Sequence, residues 1–511
     1  MLEDNISRLE QRIRELESAE DPSAIRLHNP YSRTGYRSTP SPSQGNQREF
    51  YENQSITALT NFNQEPPVDL RQVYLTWFFS YYGSVFGMFL NESLLLKGAC
   101  SALPLGHPSR PSPALLHTIY YIISHLRDTS PHVHPSQNPP HVTLSQVLQQ
   151  VSNMLSSSHP KRLIHTIQAE VLLSNYFFLT KRILEGKYHL NTAISLAAGA
   201  GLHLIRSPSS HRQLLSTSAI PTCASYVEEG ERINAFWVVY CMSNLWDTVC
   251  SNSVAFDVVF DSGREGRRID TPWPRDMLDY EQDGIPTGLT NHSTVKNFLA
   301  SSSTNCDVQG TSGITLYSKA TILFARATSL ANSSPNNMSS SDRQTFLADF
   351  NHTDRLIDSF ASGLPSIPSE RSPSTIHLAV LTHTLTYAAA IQLHSVFSGT
   401  DGRSSSKSLA LAGVAVGLLP LFIDALRQSP DVARLPTVDP AFGLLWGIVG
   451  NVLVKEVRRV RARSISTASV GKENGLLDML HTLVATMEGL KSHSAFMAYQ
   501  LDTLKEAMKV P

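Results

Sequence analysis

Histidines, cysteines and paired acids are where metal binding and proton transfer would first show in a chain. This one carries 19 histidines and 5 cysteines in 511 residues. The densest histidine set, His132, His134 and His141, lies in the proline-rich stretch SPHVHPSQNPPH. No cysteine or carboxylate stands beside it to complete a metal site, so these read as loop histidines. His377, His383 and His394 share one helical stretch, and His383 and His394 fall on one face. They are three turns apart, roughly 16 Å along the axis, too far for one ion. Cys100, Cys223, Cys241, Cys250 and Cys306 are odd in number and widely spaced, matching neither a zinc knuckle nor a disulfide framework. That usage suits a reducing intracellular compartment. Glu228 and Glu229 fall at a helix start, where the dipole favours acids, rather than forming an acid–base pair. Lys455, Arg458, Arg459, Arg461 and Arg463 make a basic helix end, where cations are likewise favoured; an import patch or a phosphate contact is the other reading. Phosphate-loop, dinucleotide, nucleophile-elbow and H-E-x-x-H motifs are all absent. No catalytic residue and no metal ligand is predicted.

The elements that must position these residues are helical. The chain is 41% hydrophobic and 17% charged with a formal net charge of −1, so it can bury a large core but has no bulk field drawing it to nucleic acid or anionic membrane. Apolar-periodic segments predict helices at about 113–127, 141–156, 161–181, 185–200, 229–252, 315–331, 342–361, 374–398, 407–428, 440–462 and 474–508. Ser341 with Gln344 fits a capping box, and Gly199 and Gly201 close the helix holding Ala193 and Ala197. The uncharged run from Leu409 to Ile423 is too short for a membrane span and contains Pro420, so it is predicted to be a core helix, with no membrane partner. The aromatic run Tyr74, Trp77, Phe78, Phe79, Tyr81, Tyr82, Phe86 and Phe89 reads as core; an aromatic-lined pocket is the alternative. Ile269-Asp270-Thr271-Pro272-Trp273-Pro274 is predicted to cross the surface in an extended path. The expected class is all-α: a large multi-helix domain over 65–511 with a polar loop at about 283–313, preceded by a disordered linker at 21–64 and a coiled coil at 1–20.

The coil rests on Leu2, Ile6, Leu9, Ile13 and Leu16, spaced 4-3-4-3. Isoleucine at "a" and leucine at "d" favour two parallel strands, with Arg12 at "g" and Glu17 at the following "e" meeting across the dimer. A helix this short is marginal alone, and packing on its own chain is the alternative.

Two segments further along carry a resemblance. Gln168, Ala169, Leu172, Leu173, Tyr176, Phe177 and Phe178 fit a Q-A-x-x-L-L-x-x-Y-F-F pattern, followed by Gly186, Tyr188, His189, Leu190, Ala193, Ala197, Gly201, Leu202 and His203. Glu231, Arg232, Ala235, Phe236 and Trp237 come next. In this order the segments resemble the middle homology region of fungal zinc binuclear-cluster transcription regulators, over roughly residues 68 to 460, and Ile391-Gln392-Leu393-His394 looks like that family's C-terminal helical part. The start of the chain is similar to the dimerisation coil that follows the family's zinc cluster. The resemblance implies a nuclear regulator of transcription by RNA polymerase II and not an enzyme. Its helical domain would hold an activator in check or respond to a metabolite or co-regulator, and it would pair with itself or a related regulator. The family's six clustered cysteines, holding two zinc ions, do not stand before or within the coil. No cofactor is therefore expected on this chain, and DNA would be reached only through a cluster outside this sequence or on a partner. A DNA-blind co-regulator and a small-molecule-binding all-α protein are the other readings.

Overall fold

The computed structural model describes residues 65–129, 142–208, 222–248, 268–286, 293–300, 312–333, 338–367, 373–399, 401–427, 438–462 and 467–509. All belong to the second of two units into which the chain divides, Asn63–Pro511. The apolar ladder Leu2 to Leu16, with Arg12 and Glu17, lies outside the described residues, as do His132, His134, His141, Cys250, Cys306, Arg463 and much of the 283–313 loop.

Among the described residues every regular element is a helix. The first are α1 (Val68–Tyr81), α2 (Glu92–Ala99), α3 (Pro113–Thr129), α4 (Leu144–Met154), α5 (Arg162–Leu179) and α6 (Ile183–Gly199). Then come α7 (Tyr226–Trp246), α8 (Met277–Gln282), α9 (Thr294–Ala300), α10 (Gly313–Asn332), α11 (Ser340–Gly363) and α12 (Pro373–Ser395). The last are α13 (Gly402–Gly417), α14 (Leu419–Arg427), α15 (Ala441–Ala462), α16 (Thr467–Leu490) and α17 (Ala495–Lys509).

Local chemistry sets many of the starts. Asn91, Thr143, Ser225, Ser312, Ser339 and Asp401 each accept a hydrogen bond from a first-turn amide that has no partner within its helix. A full capping box forms at Thr143 and Gln146. The cap of α11 is Ser339 on Asp342 rather than Ser341 on Gln344, because the helix starts two residues earlier than predicted. Gly201, at φ +70°, turns the chain out of α6 into a short 3-10 turn at Leu202–Leu204. The predicted 407–428 helix is two, broken at Leu418, with Pro420 tolerated in the first turn of α14. The predicted 474–508 helix is likewise two, α16 and α17, joined by a turn at Lys491–His493.

Packing runs from neighbour to neighbour around one continuous core. α5 pairs with α6 and receives α3, α4 and α7; α7 rests on α10, α10 on α12, and α12 on α11, α13, α14 and α15. α15 carries α16 and α17, and α17 returns to α5 and to the end of α7: Phe496 meets Trp246 of α7 edge-on at 5.3 Å, and Lys181, just past α5, caps the Tyr499 ring at 3.9 Å. α5 and α7 sit innermost. From Ile164 to Leu179 every residue of α5 is buried, and α7 is buried on almost all sides. The aromatics Tyr74, Trp77, Phe78, Phe79, Tyr82, Phe86 and Phe89 are core residues, as expected. Among the described residues two stretches, Ser374–Ser395 and Gly402–Arg427, are long and apolar enough to cross a membrane by length and composition alone. The first is mostly buried here, and the second is the interrupted pair α13 and α14.

Gly186 permits the tightest approach in the α5–α6 pair. A Cβ there would stand 2.6 Å from the Phe178 ring, and its carbonyl accepts from Ser174 Oγ at 2.9 Å. Gly186→Ala is expected to cost about 2 kcal/mol of stability through overpacking. Gly199→Ala, with nothing within 4 Å, serves as the neutral control. Thermal midpoints of the two variants check this; equal midpoints would show that Phe178 yields freely.

Candidate functional site

Most residues of the segments from Gln168 to His203 and from Glu231 to Trp237 that the sequence singled out form a buried framework. Gln168 on α5 is fully buried, and its Oε1 accepts from the backbone amides of Phe89 and Leu90 at 2.9 and 3.4 Å while its Nε2 donates to Gly87 O at 3.1 Å. Glu231 on α7 takes the next amide, Asn91 N, at 2.9 Å. Burial pushes the Glu231 carboxyl up, against the hydrogen bond from Asn91. Two buried side chains from distant segments thus satisfy one loop, residues 87–91, that has no helix of its own. His189 Nδ1 meets Glu170 Oε2 at 2.5 Å, and its ring stacks on Phe177 at 5.1 Å. Tyr176 shares a 2.7 Å hydroxyl contact with Tyr121, and Phe178 stacks on Trp246 at 3.8 Å. Ala169, Leu190, Leu202, His203 and Phe236 are buried. Arg232 pairs with Glu228 at 2.8 Å. Tyr188 stands apart, 67% exposed.

Trp237 links this framework to the segment 268–276. Its Nε1 donates to Pro272 O at 2.6 Å, and its ring stacks on Trp273 at 4.6 Å. That segment carries neither helix nor strand, and Ile269, Asp270, Thr271 and Pro272 run buried beneath the surface rather than across it. The reason is polar. Asp270 and Thr271 amides donate to His203 O at 2.8 and 3.1 Å, and Thr271 Oγ1 donates to Leu202 O at 2.5 Å. The Asp270 carboxylate, 0% exposed, accepts from Arg268 at 2.9 and 3.1 Å, Ser207 Oγ at 2.6 Å and Ser293 N at 2.7 Å. Burial alone would raise its pKa; the hydrogen bonds from Arg268, Ser207 and Ser293 outweigh it and hold the carboxyl below the usual aspartate value.

Beyond this segment opens a cleft of about 800 Å³. Tyr240 and Asn244 come from α7, Arg268 and Ile269 from the 268–276 segment, Ser293 from just before α9, and Val295, Lys296 and Leu299 from α9 itself. Ile322, Arg326, Ser329 and Leu330 come from α10, and Asp349 and His352 from α11. Arg326 commits Nε to Thr353 Oγ1 at 3.1 Å and Nη2 to Asp349 at 3.2 Å. His352 Nε2 lies 2.7 Å from Leu299 O, tying α11 to α9. Ser293 sits at φ +54°, a costly conformation for a non-glycine residue, held by its bond to Asp270. Asn244 is 8% exposed, and its Nδ2 has no hydrogen-bond partner among the described residues.

Other candidates resolve into structural contacts. Ser404, His394 and Asp354 meet in a chain, with His394 Nδ1 3.0 Å from Ser404 Oγ and Nε2 2.9 Å from Asp354 Oδ1. Ser404 is buried and its hydroxyl donates to Asp401 at 2.7 Å, so it braces the residue that caps α13. His377 is buried and pushed down to about 4 by burial, and His383 bridges to Pro365 O and Tyr387. No group of His, Cys, Asp and Glu among the described residues is placed to hold a metal ion. Glu228 and Glu229 sit in the first turn of α7, Glu229 gripping Arg206 at 2.6 and 2.9 Å. At the basic end of α15, Arg459 and Arg461 pair with Glu456 and Glu473, and Arg458 donates to Ala507 O. No protein-family model, curated protein or solved structure matches this chain.

Because Asp270 has a folded pKa below its unfolded value of about 3.9, its contribution is complete above that value and is lost as pH falls through the folded pKa. Asp270→Asn is expected to cost about 3 kcal/mol at neutral pH, since it breaks a buried pair. The gap from the native protein should narrow as denaturation is repeated toward about pH 3. A gap of constant size would show that the charge of Asp270 is not what stabilises the segment.

Proposed function

We propose that this chain is the helical regulatory body of a fungal transcription regulator of the zinc binuclear-cluster class. In this reading it works in the nucleus and pairs with itself or a relative through the ladder Leu2, Ile6, Leu9, Ile13 and Leu16. It reaches DNA through a zinc cluster carried on another segment or on the partner. The observation that carries the reading is the convergence of the resembling segments. Gln168 and Glu231 serve the same loop, and Leu202 and His203 hold the segment that Trp237 covers. Spacings that match jointly in the sequence therefore correspond to residues that depend on one another in the fold.

That framework is built for rigidity, with its polar groups turned inward onto backbone. The cleft beside it is where a small molecule would bias such a body, as an effector-responsive domain requires. The meeting of Ser404, His394 and Asp354 does not favour a hydrolase, because the serine is sealed and donates elsewhere.

Fusing the full chain to a heterologous DNA-binding module in a fungal nucleus tests the reading. Reporter output from a promoter bearing that module's site is expected to rise or fall several-fold, and a fluorescent version should accumulate in the nucleus. Unchanged output together with exclusion from the nucleus would overturn the proposal.

A further inference from the structure

We infer that the cleft between α7, α9, α10 and α11 binds a small organic carboxylate with an apolar body. Its carboxylate would face Lys296 and Arg326, and a second polar group would meet Asn244. As an effector class this rests on the regulatory reading above; as binding chemistry it stands on the cleft itself.

Charge is the first argument. The lining carries three cations, Arg268, Lys296 and Arg326, against one acid, Asp349. Asp270 behind the wall neutralises Arg268, and Asp349 pairs with Arg326 at 3.2 Å. Lys296 has no ion-pair partner among the described residues. One positive charge is left over, in a chain whose net charge is −1. A recess with a single uncompensated cation favours a monoanion, whereas a phosphate brings close to two negative charges to the same place.

Hydrogen bonding is the second. Asn244 sits on α7, a helix buried on nearly all sides, and its amide nitrogen is unpartnered. A buried amide without a partner lowers stability, so its position beside a recess calls for a ligand acceptor or donor. Either amide atom can serve, because a half-turn of the side chain exchanges them. The apolar share of the wall is the third. Ile269, Val295, Ile322 and Leu330 would cover a hydrocarbon or aromatic body, and about 800 Å³ is the scale of pockets that enclose small organic ligands.

The experiment uses the purified full chain and a matched probe series: 3-phenylpropionate, its neutral amide, 3-phenylpropylamine and inorganic phosphate, each at millimolar concentration. Thermal shift and calorimetry report binding, since a ligand that prefers the folded state raises the midpoint. The carboxylate is expected to raise it, while the amide and the amine leave it unchanged. Lys296→Gln alters an exposed side chain, so its ligand-free midpoint should match the native one while probe affinity falls about tenfold. Asn244→Leu is expected to raise the ligand-free midpoint, because it removes a buried amide nitrogen that has no partner, and to leave the carboxylate response to a probe without a second polar group in place. The inference is overturned by equal shifts for amide and carboxylate, by unchanged affinity in Lys296→Gln, or by no shift with the carboxylate. A response to inorganic phosphate alone would reassign the cleft to phosphate. Carboxylate binding that leaves the tethered-reporter output unaltered would keep the site and remove the regulatory reading; a reporter response without binding would do the reverse.

Discussion

A carboxylate with no exposure to water, that of Asp270, holds the middle of this fold together. Taking an ionised carboxylate out of water costs several kcal/mol even after relaxation, so its site must supply donors from every side. Arg268 provides two, Ser207 a hydroxyl and Ser293 a backbone amide. Those donors come from separate stretches of chain, and each is thereby fixed in place. Ser293 must adopt the left-handed backbone region, at about 1–3 kcal/mol, to aim its amide at Asp270. From there α9 begins, and with it one wall of the cleft. Arg268, the other charged neighbour, lines the same cleft.

The same logic recurs wherever a loop is buried. Gln168 and Glu231 serve residues 87–91 from two helices, and Arg71 and Arg110 converge on Ala99 O and on Glu65. In a protein with no strand among its described residues, loops cannot pair with a sheet edge. Their amides and carbonyls must find side chains or remain costly. Buried polar side chains on the inner helices are therefore a direct consequence of long irregular connections packed inside a helical body. This explains why Gln168, His189, Glu231 and Trp237 on the inner helices all have their partners facing inward.

How much of this was legible in the sequence follows from what periodicity encodes. A helix with one buried face writes a stripe, and α11 was legible from Phe346, Phe350, Ile357 and Phe360, all buried. α5 and α7 have no solvent face for most of their length, so their patterns announce helix and burial but not orientation. The short helices α2, α8 and α9 span one or two turns, too few for a period to register. Pro272 and Pro274 announced a stretch outside any helix, and none forms there. Its depth was not legible, because the partners of Asp270 and Thr271, at Ser207, His203 and Ser293, are distant in sequence. The cleft was invisible for a similar reason: its lining comes from separate segments, each polar residue unremarkable alone. Asn244 was the one available hint, a primary amide amid the apolar run from Phe236 to Trp246.

α7 is the element that framework and cleft share. Glu231 near its start holds the 87–91 loop, Trp237 in its middle stacks on Trp273, and Asn244 near its end lines the recess. A helix packed on nearly all sides cannot turn by itself, since close-packed interiors shift between discrete arrangements rather than deform. A molecule entering the cleft would therefore meet a fixed floor, α7 and α10, and two more adjustable walls. α9 is seven residues long, anchored by Ser293 and Thr294 to the 268–276 segment, by Phe298 against Trp273 and Phe360, and by Leu299 O to His352. Lys296 on α9 and Asp349 on α11 both reach toward solvent. Ligand charge would thus be read at the rim, where α9 and α11 face each other, and ligand shape at the floor.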